Sequence, residues 1–221
     1  MPLRAVVFDY GKVLCRPQPP AVREALVARL GVSHEAFERA YARLRGEYDR
    51  GTLDDVAYWQ AVAQACGRTL TAETALWLAD VDARGWSHPN LLLVNWAKQV
   101  RRAGFQTAIL SNMQRSLRQR LAELCPWLPE VDAAVFSSDL GFVKPEPEIY
   151  RRVIELLSIE PGEALFIDDV EANVTAARQV GMSALCFTDV PALRRALTAF
   201  PELPPLSDGS PAYAPQPESV E

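Results

Sequence analysis

Short apolar runs rich in β-branched residues and phenylalanine recur along the chain, each ending in polar residues. They are AVVFDYG from Ala5, FQTAILSN from Phe105, AAVFSSD from Ala133, ALFIDD from Ala164 and SALCFTD from Ser183. Continuous apolar runs of this length suit strands covered on both faces, as in a parallel sheet. Helical patterns lie between the later runs. Pro89 to Ala103 begins with a proline suited to a first turn and stops at Gly104, Glu146 to Leu157 follows, and Glu171 to Val180 is stopped by Gly181. Strand and helix in alternation predict an α/β fold built on a doubly wound parallel sheet.

The pattern changes between about Arg16 and His88, where no strand signal appears. Four helices are predicted there, at Ala21–Leu30, Ser33–Tyr48, Thr52–Cys66 and Thr71–Ala83, punctuated by Gly31, Gly51 and Gly67. Ser33 and Thr52 suit N-cap positions, and Thr52 with Asp55 is close to a capping box. Residues 16–88 thus read as an α-helical insert in an α/β domain made of residues 1–15 and 89–199. From Phe200 onward come six prolines, four acids and no lysine or arginine. Such a segment buries too little apolar surface to offset its ordering entropy, so residues 200–221 are expected to be a disordered, acidic, Pro-rich tail.

Composition narrows the function. The 221 residues carry a formal charge of −5 with a pI near 5.2, which argues against a broad nucleic-acid face. The tail holds four of the 28 acids, leaving 24 against 23 bases, so the folded part is almost neutral. No apolar run approaches the ~20 residues of a membrane span. Asp9 and Lys12 interrupt the apolar start, so no signal peptide is expected there. Cys15, Cys66, Cys125 and Cys186 lie far apart, which argues against a zinc cluster or disulfide scaffold and for a reduced, cytoplasmic setting. Of the 23 basic residues only Lys12, Lys98 and Lys144 are lysine, which draws attention to each.

The candidate chemistry falls at the carboxyl ends of the predicted strands, the edge where open α/β sheets bind ligands. Asp9 ends the first strand, Ser111 and Asn112 the second, and Asp168 with Asp169 the fourth; Lys144 follows the third and precedes Pro145. A single Asp after a strand often only caps a loop, and a lone loop lysine is usually solvated. Bringing Asp9 to Asp168 and Asp169, however, gathers three carboxylates whose repulsion calls for a cation, and an oxygen-only set suits Mg²⁺. Lys144 can neutralise a carboxylate and a phosphate oxygen together. Ser111 and the backbone N–H groups after it, leading into a helix from Gln114, suit an anion site, though Ser-Asn is equally good N-cap chemistry.

Together, and in this order, these segments resemble the haloacid dehalogenase-like hydrolase superfamily, over about Leu3 to Pro191. Asp9 in VVFDYGKVL looks like the nucleophile motif, Ser111 in AILSNM the second motif, Lys144 in GFVKPEPEIY the third and Asp168-Asp169 in LFIDDVEANV the fourth. The insert looks like the helical cap of that superfamily's subfamily IA, and the closest likeness is to sugar-1-phosphate phosphatases and the phosphatase domains of epoxide hydrolases. The resemblance implies a Rossmann-like core and a small phosphorylated substrate. It also implies an Asp9 aspartyl-phosphate, with Mg²⁺ held by Asp9, the Gly11 carbonyl and Asp169, and by Asp168 through water. Ser111, Asn112 and Lys144 would contact the phosphoryl group, Asn173 would assist, and the protein would act as a monomer or homodimer.

The sequence departs from that pattern at two places. Phosphatases of the superfamily usually carry a second Asp two residues after the nucleophile, as general acid/base, and here that residue is Gly11; such a group is typically worth ~10²–10⁴-fold in rate. The leading reading is a phosphatase for substrates with good leaving groups. The alternatives are a catalytically weak protein that binds phosphorylated ligands or partners, and a 2-haloacid dehalogenase, for which Tyr10 sits one position too early. Lys12 replaces the usual Gly, and pairing with an acid of the insert or pointing to solvent is slightly favoured over a role beside the phosphate. In the insert, Arg43, Arg45, Tyr48, Tyr58 and Trp59 are candidates for the mouth, although aromatics at helical spacing are more often core. His34 and His88 have no partner at ligand spacing.

Overall fold

A computed structural model of the chain describes residues 2–207. All five apolar runs form strands: β1 (Ala5–Phe8), β2 (Gln106–Ser111), β3 (Ala133–Phe136), β4 (Ala164–Asp168) and β5 (Ser183–Cys186). They make one sheet, every pair parallel, in the order β3-β2-β1-β4-β5. The helices are α1 (Pro20–Leu30), α2 (His34–Arg50), α3 (Asp55–Ala65), α4 (Ala72–Gly85), α5 (Leu91–Arg102), α6 (Arg115–Leu124), α7 (Ser137–Leu140), α8 (Pro147–Leu157), α9 (Glu171–Val180) and α10 (Val190–Ala196).

The side-chain alternation of a strand explains why the runs are apolar throughout. Val6, Phe8, Ile109, Leu165 and Ile167 point to one side, where they pack with Leu93, Trp96 and Val100 of α5, Leu117 and Leu121 of α6 and Leu193 of α10. Their neighbours Ala5, Val7, Ala108, Leu110 and Phe166 point to the other, against Ile149, Tyr150 and Val153 of α8 and Val174 and Ala177 of α9. Each strand therefore feeds two cores. The four helices α1–α4 follow β1 and hold a third cluster of their own, around Phe37, Tyr41, Tyr58, Trp59, Val62 and Leu78. Tyr48, Tyr58 and Trp59 are buried there, Tyr48 stacking on Tyr58 at 4.0 Å, which is the core role aromatics at helical spacing usually take.

Three local expectations need correction. Thr52 does not cap α3. Gly51 ends α2 in the left-handed conformation, and the Thr52 hydroxyl donates back to the Glu47 carbonyl; Asp54 caps α3 instead, accepting from Ala57 N at 2.8 Å. Pro89 lies outside α5, whose N-cap is Asn90. The expected flexible tail starts too early. Leu203 and Leu206 are only 7% and 3% exposed and join the core on the α5 side. Trp96 Nε1 donates to the Pro204 carbonyl at 2.8 Å and Arg194 Nε to the Leu206 carbonyl at 2.7 Å. The remainder of the expected tail, residues 208–221, lies outside the described residues. No helix among the described residues is long and apolar enough to cross a membrane.

Replacing Leu206 by Ala is expected to lower unfolding free energy by about 2–4 kcal/mol, the range for a buried leucine that leaves a cavity. Urea titration of the variant against the parent chain measures it, and an unchanged midpoint would mean that the segment contributes nothing to the core.

Candidate active site

Strand β1 is flanked by β2 and β4, and the chain leaves β1 and β4 in opposite directions across the sheet. That change of direction opens a crevice at the carboxyl ends of these two strands. Phe8 pairs with Ile167, and the ladder continues as Asp9 N donates to the Ile167 carbonyl at 2.9 Å. The register thus sets Asp9 beside Asp168. Carboxylate oxygens of Asp9, Asp168 and Asp169 lie within 4.8 Å of one another.

Lys144 resolves the repulsion between the first two. Its Nζ is 2.8 Å from Asp9 Oδ1 and 2.5 Å from Asp168 Oδ2, and its side chain is 1% exposed. Burial works against the ammonium, yet the two carboxylates outweigh it and hold its pKa above the ordinary lysine value. Burial pushes the Asp9 carboxyl up; Lys144 opposes this, while Asp168 and Asp169 add to it. The lysine is placed by its backbone. Asn112 Oδ1 accepts from Lys144 N at 2.7 Å, and Asn112 Nδ2 donates to the Lys144 carbonyl at 3.0 Å. Asn112 was expected on the substrate; the structure commits its carboxamide to this two-way clamp.

The two adjacent aspartates differ sharply. Asp168 is fully buried, and both its oxygens are taken, by Lys144, by Asn173 Nδ2 at 3.0 and 3.1 Å and by Val170 N at 2.8 Å. Asp169 reaches the cavity, and its Oδ2 holds Lys12 Nζ at 3.0 Å. Lys12 therefore pairs with a motif carboxylate, not with an acid of the insert. It adopts a left-handed backbone (φ 59°), where the glycine usual at this position would be unstrained.

Asp9, Gly11, Ser111, Lys144 and Asp169 share one cavity of about 380 Å³. Asp9 Oδ1 also accepts from Tyr10 N at 2.7 Å, which fixes the carboxylate plane. Ser111, the last residue of β2, presents its hydroxyl with only a long 3.4 Å bond to the Asn112 carbonyl. Of the backbone N–H groups after it, that of Met113 is already given to Ser137 Oγ at 2.9 Å. Gly11 has no side chain, and a Cβ there would touch Trp86 Cζ3 at 3.7 Å, an ordinary contact, so the position has room for one. The Tyr10 hydroxyl does not fill this role, since it donates to the Trp86 carbonyl and lies 2.9 Å from Cys125 Sγ.

The insert closes the cavity with groups the sequence mostly hid. Arg45 Nε bonds Asp49 Oδ1 at 2.8 Å, Nη1 bonds Asp82 Oδ2 at 3.1 Å and Nη2 bonds Gln114 Oε1 at 2.5 Å. Asp82 is fully buried and also accepts from Tyr41 OH at 2.8 Å, Gln18 Nε2 at 2.9 Å and Gln114 Nε2 at 3.2 Å. Arg43 is exposed and lies away from this cavity. The i,i+4 spacing of Arg45 and Asp49 was a usable signal; nothing in the sequence tied either to Asp82 or Gln114. Asp82→Ala is expected to destabilise the chain by roughly 3–5 kcal/mol, because it strips a buried guanidinium of a carboxylate; thermal and urea unfolding test this.

Comparison with known proteins agrees with this architecture. The family model described as haloacid dehalogenase-like hydrolase matches residues 3–181. Bifunctional epoxide hydrolase 2 of Rattus norvegicus is 27% identical over 92% of this chain, which spans 41% of that relative's length. D-ribitol-5-phosphate phosphatase of Bacteroides thetaiotaomicron is 25% identical over 81% of this chain and 89% of its own. The crystal structure of a HAD family enzyme from the same organism, in complex with magnesium and inorganic phosphate, superposes with a TM-score of 0.61 at 20% identity, covering 83% of this chain and 93% of that one. With the family model spanning all four motif segments, the chain belongs to the haloacid dehalogenase-like hydrolases.

Proposed function

We propose that this hydrolase is a phosphatase for a small phosphorylated metabolite, with Asp9 as the nucleophile. The observation that carries the reading is the Lys144 ammonium shared between Asp9 and Asp168 on the floor of a cavity that also presents Ser111 and Asp169. An Asp9 carboxylate oxygen attacks phosphorus, the P–O bond to the leaving group breaks, and water then cleaves the acyl phosphate to release inorganic phosphate. Lys144 and Tyr10 N orient the carboxylate. Lys144 and the Ser111 hydroxyl offset charge on the transferring phosphoryl oxygens. Asn112 and Asn173 act one step back, on the Lys144 backbone and on Asp168.

The donor set fits Mg²⁺. The clustered ligand atoms are all carboxylate oxygens, the hard donors this ion prefers. Asp9 and Asp169 would hold it, with the Gly11 carbonyl on the same cavity; Asp168, whose oxygens are taken, would act from behind. When bound, the ion supplies positive charge to the phosphoryl oxygens. The related HAD family enzyme crystallised with magnesium and phosphate supports this assignment. The insert, residues 16–88, would act as a cap over the sheet domain, with the domain's second part running to at least Ser207 because Leu203 and Leu206 belong to its core.

Gly11 restricts the substrate. With no acid there and Tyr10 turned away, the leaving group departs without a proton from this loop. Substrates with good leaving groups, such as sugar-1-phosphates or acyl phosphates, are favoured. Phosphate release from p-nitrophenyl phosphate and acetyl phosphate with Mg²⁺ tests the reading. Asp9→Asn is expected to lower it by about 10³-fold or more, as loss of a nucleophile does; unchanged release would refute the mechanism. Gly11→Asp is expected to raise kcat/KM on alkyl phosphates by roughly 10–10²-fold relative to p-nitrophenyl phosphate, since a general acid helps poor leaving groups most. A ratio that stays put or falls would mean that the missing acid is not what limits the range.

A further inference from the structure

The cavity carries cations from four residues, and three of them make hydrogen-bonded ion pairs. Lys144 lies between Asp9 and Asp168, Lys12 against Asp169, and Arg45 among Asp49, Asp82 and Gln114. Arg23 of α1 is the exception. Its Nη1 is shielded from water and has no hydrogen-bond partner. Its ion pair with the half-exposed Glu38 is loose, Oε1 standing 3.8 Å from Nε, beyond hydrogen-bonding distance. The guanidinium instead rests on aromatic faces, 4.0 Å from the Tyr41 ring centroid and 5.7 Å from that of Phe37. Those rings hold the charge in place and leave Nη1 without an acceptor.

A second donor on the same cavity is in the same state. Trp86 Nε1 is buried without a partner, and Trp86 lines the cavity beside Gly11. Buried polar groups in native proteins are overwhelmingly hydrogen-bonded, and the exceptions call for an explanation. Here both orphans are donors on residues that line the cavity, and one carries a positive charge. The missing component is therefore an acceptor with negative charge. The planar guanidinium fork matches a carboxylate or phosphate better than a lone hydroxyl.

We propose that Arg23 and Trp86 form a subsite for a second oxyanion of the substrate, so that the preferred substrate is a phosphomonoester bearing a further acidic group. This rests on the phosphatase reading for the position of the first phosphate. It adds a substrate class which that reading does not contain. Arg23 and Trp86 belong to the insert and to its junction with the sheet domain, so this specificity comes from a different segment than the strand-end residues Asp9, Ser111 and Lys144.

Binding of two phosphonates to the Mg²⁺-loaded protein, measured calorimetrically, tests the subsite without turnover. 3-Phosphonopropionate carries a distal carboxylate; propylphosphonate has the same chain and none. The acid is expected to bind about tenfold or more tightly than its neutral counterpart, as a charge-assisted guanidinium pair allows. In Arg23→Met, which keeps an apolar stem on Tyr41 and Phe37, the preference is expected to vanish. In Trp86→Phe, which keeps a ring, it is expected to weaken. Equal binding by the parent chain, or a preference that survives in Arg23→Met, overturns the subsite alone. Absence of binding by either phosphonate overturns the subsite and counts against the phosphatase reading too, which hydrolysis of p-nitrophenyl phosphate, lacking a second acid, tests separately.

Discussion

Two carboxylates on adjacent parallel strands, in register and buried, repel one another, and the site depends on how that repulsion is met. Lys144 meets it by lying 2.8 Å from one and 2.5 Å from the other. An isolated buried charge is prohibitively costly, and a buried triad persists only when every member is well bonded. Here that condition is satisfied. Asp168 takes a backbone N–H and the Asn173 amide in addition to the lysine; Asp9 takes a backbone N–H; and the lysine is set by Asn112 at both its N–H and its carbonyl. Removing any one leaves a partner exposed to the full cost of desolvation. The sheet register, the loop that carries Lys144 and the asparagine after β2 are thus constrained together.

The same arrangement separates the roles of neighbours in sequence. Asp168 and Asp169 are adjacent, but the first is turned inward and saturated and the second faces the cavity with Lys12 on one oxygen. Tyr10 and Gly11 are adjacent, but the tyrosine hydroxyl is drawn to the Trp86 carbonyl and the glycine leaves the wall open. The asymmetry arises where the backbone turns out of β1 and β4, with one residue committed to structure and the next to the cavity.

What the sequence made legible follows from where the physics is local. The strands could be read because each supplies both cores, which forces unbroken apolar runs such as ALFI before Asp168. The acidic cluster could be read because carboxylates at strand ends converge once the sheet is parallel. Cap chemistry was legible at Ser33 but misread at Thr52, where the left-handed Gly51 gives the threonine to the preceding helix. Leu203 and Leu206 were lost among prolines, since two apolar residues without a period give no signal of burial. Arg45, Asp82 and Gln114 lie far apart in the chain and meet only through packing of α2 and α4 against the start of α6.

That seam has a further property in how its charge is divided. Arg45, Asp49 and Asp82 all belong to the four-helix insert, and the partner across the boundary is the neutral amide of Gln114. The other ionic links across it, Arg50 with Glu146 and Arg120 with Asp80, are partly exposed and can be rehydrated at little cost. If the insert moves relative to the sheet, its charged cluster travels whole. Parting the two surfaces breaks neutral hydrogen bonds and surface pairs but strands no ion. The electrostatic barrier to separating the two halves is then low, because the ion pairs of each buried cluster stay within one half.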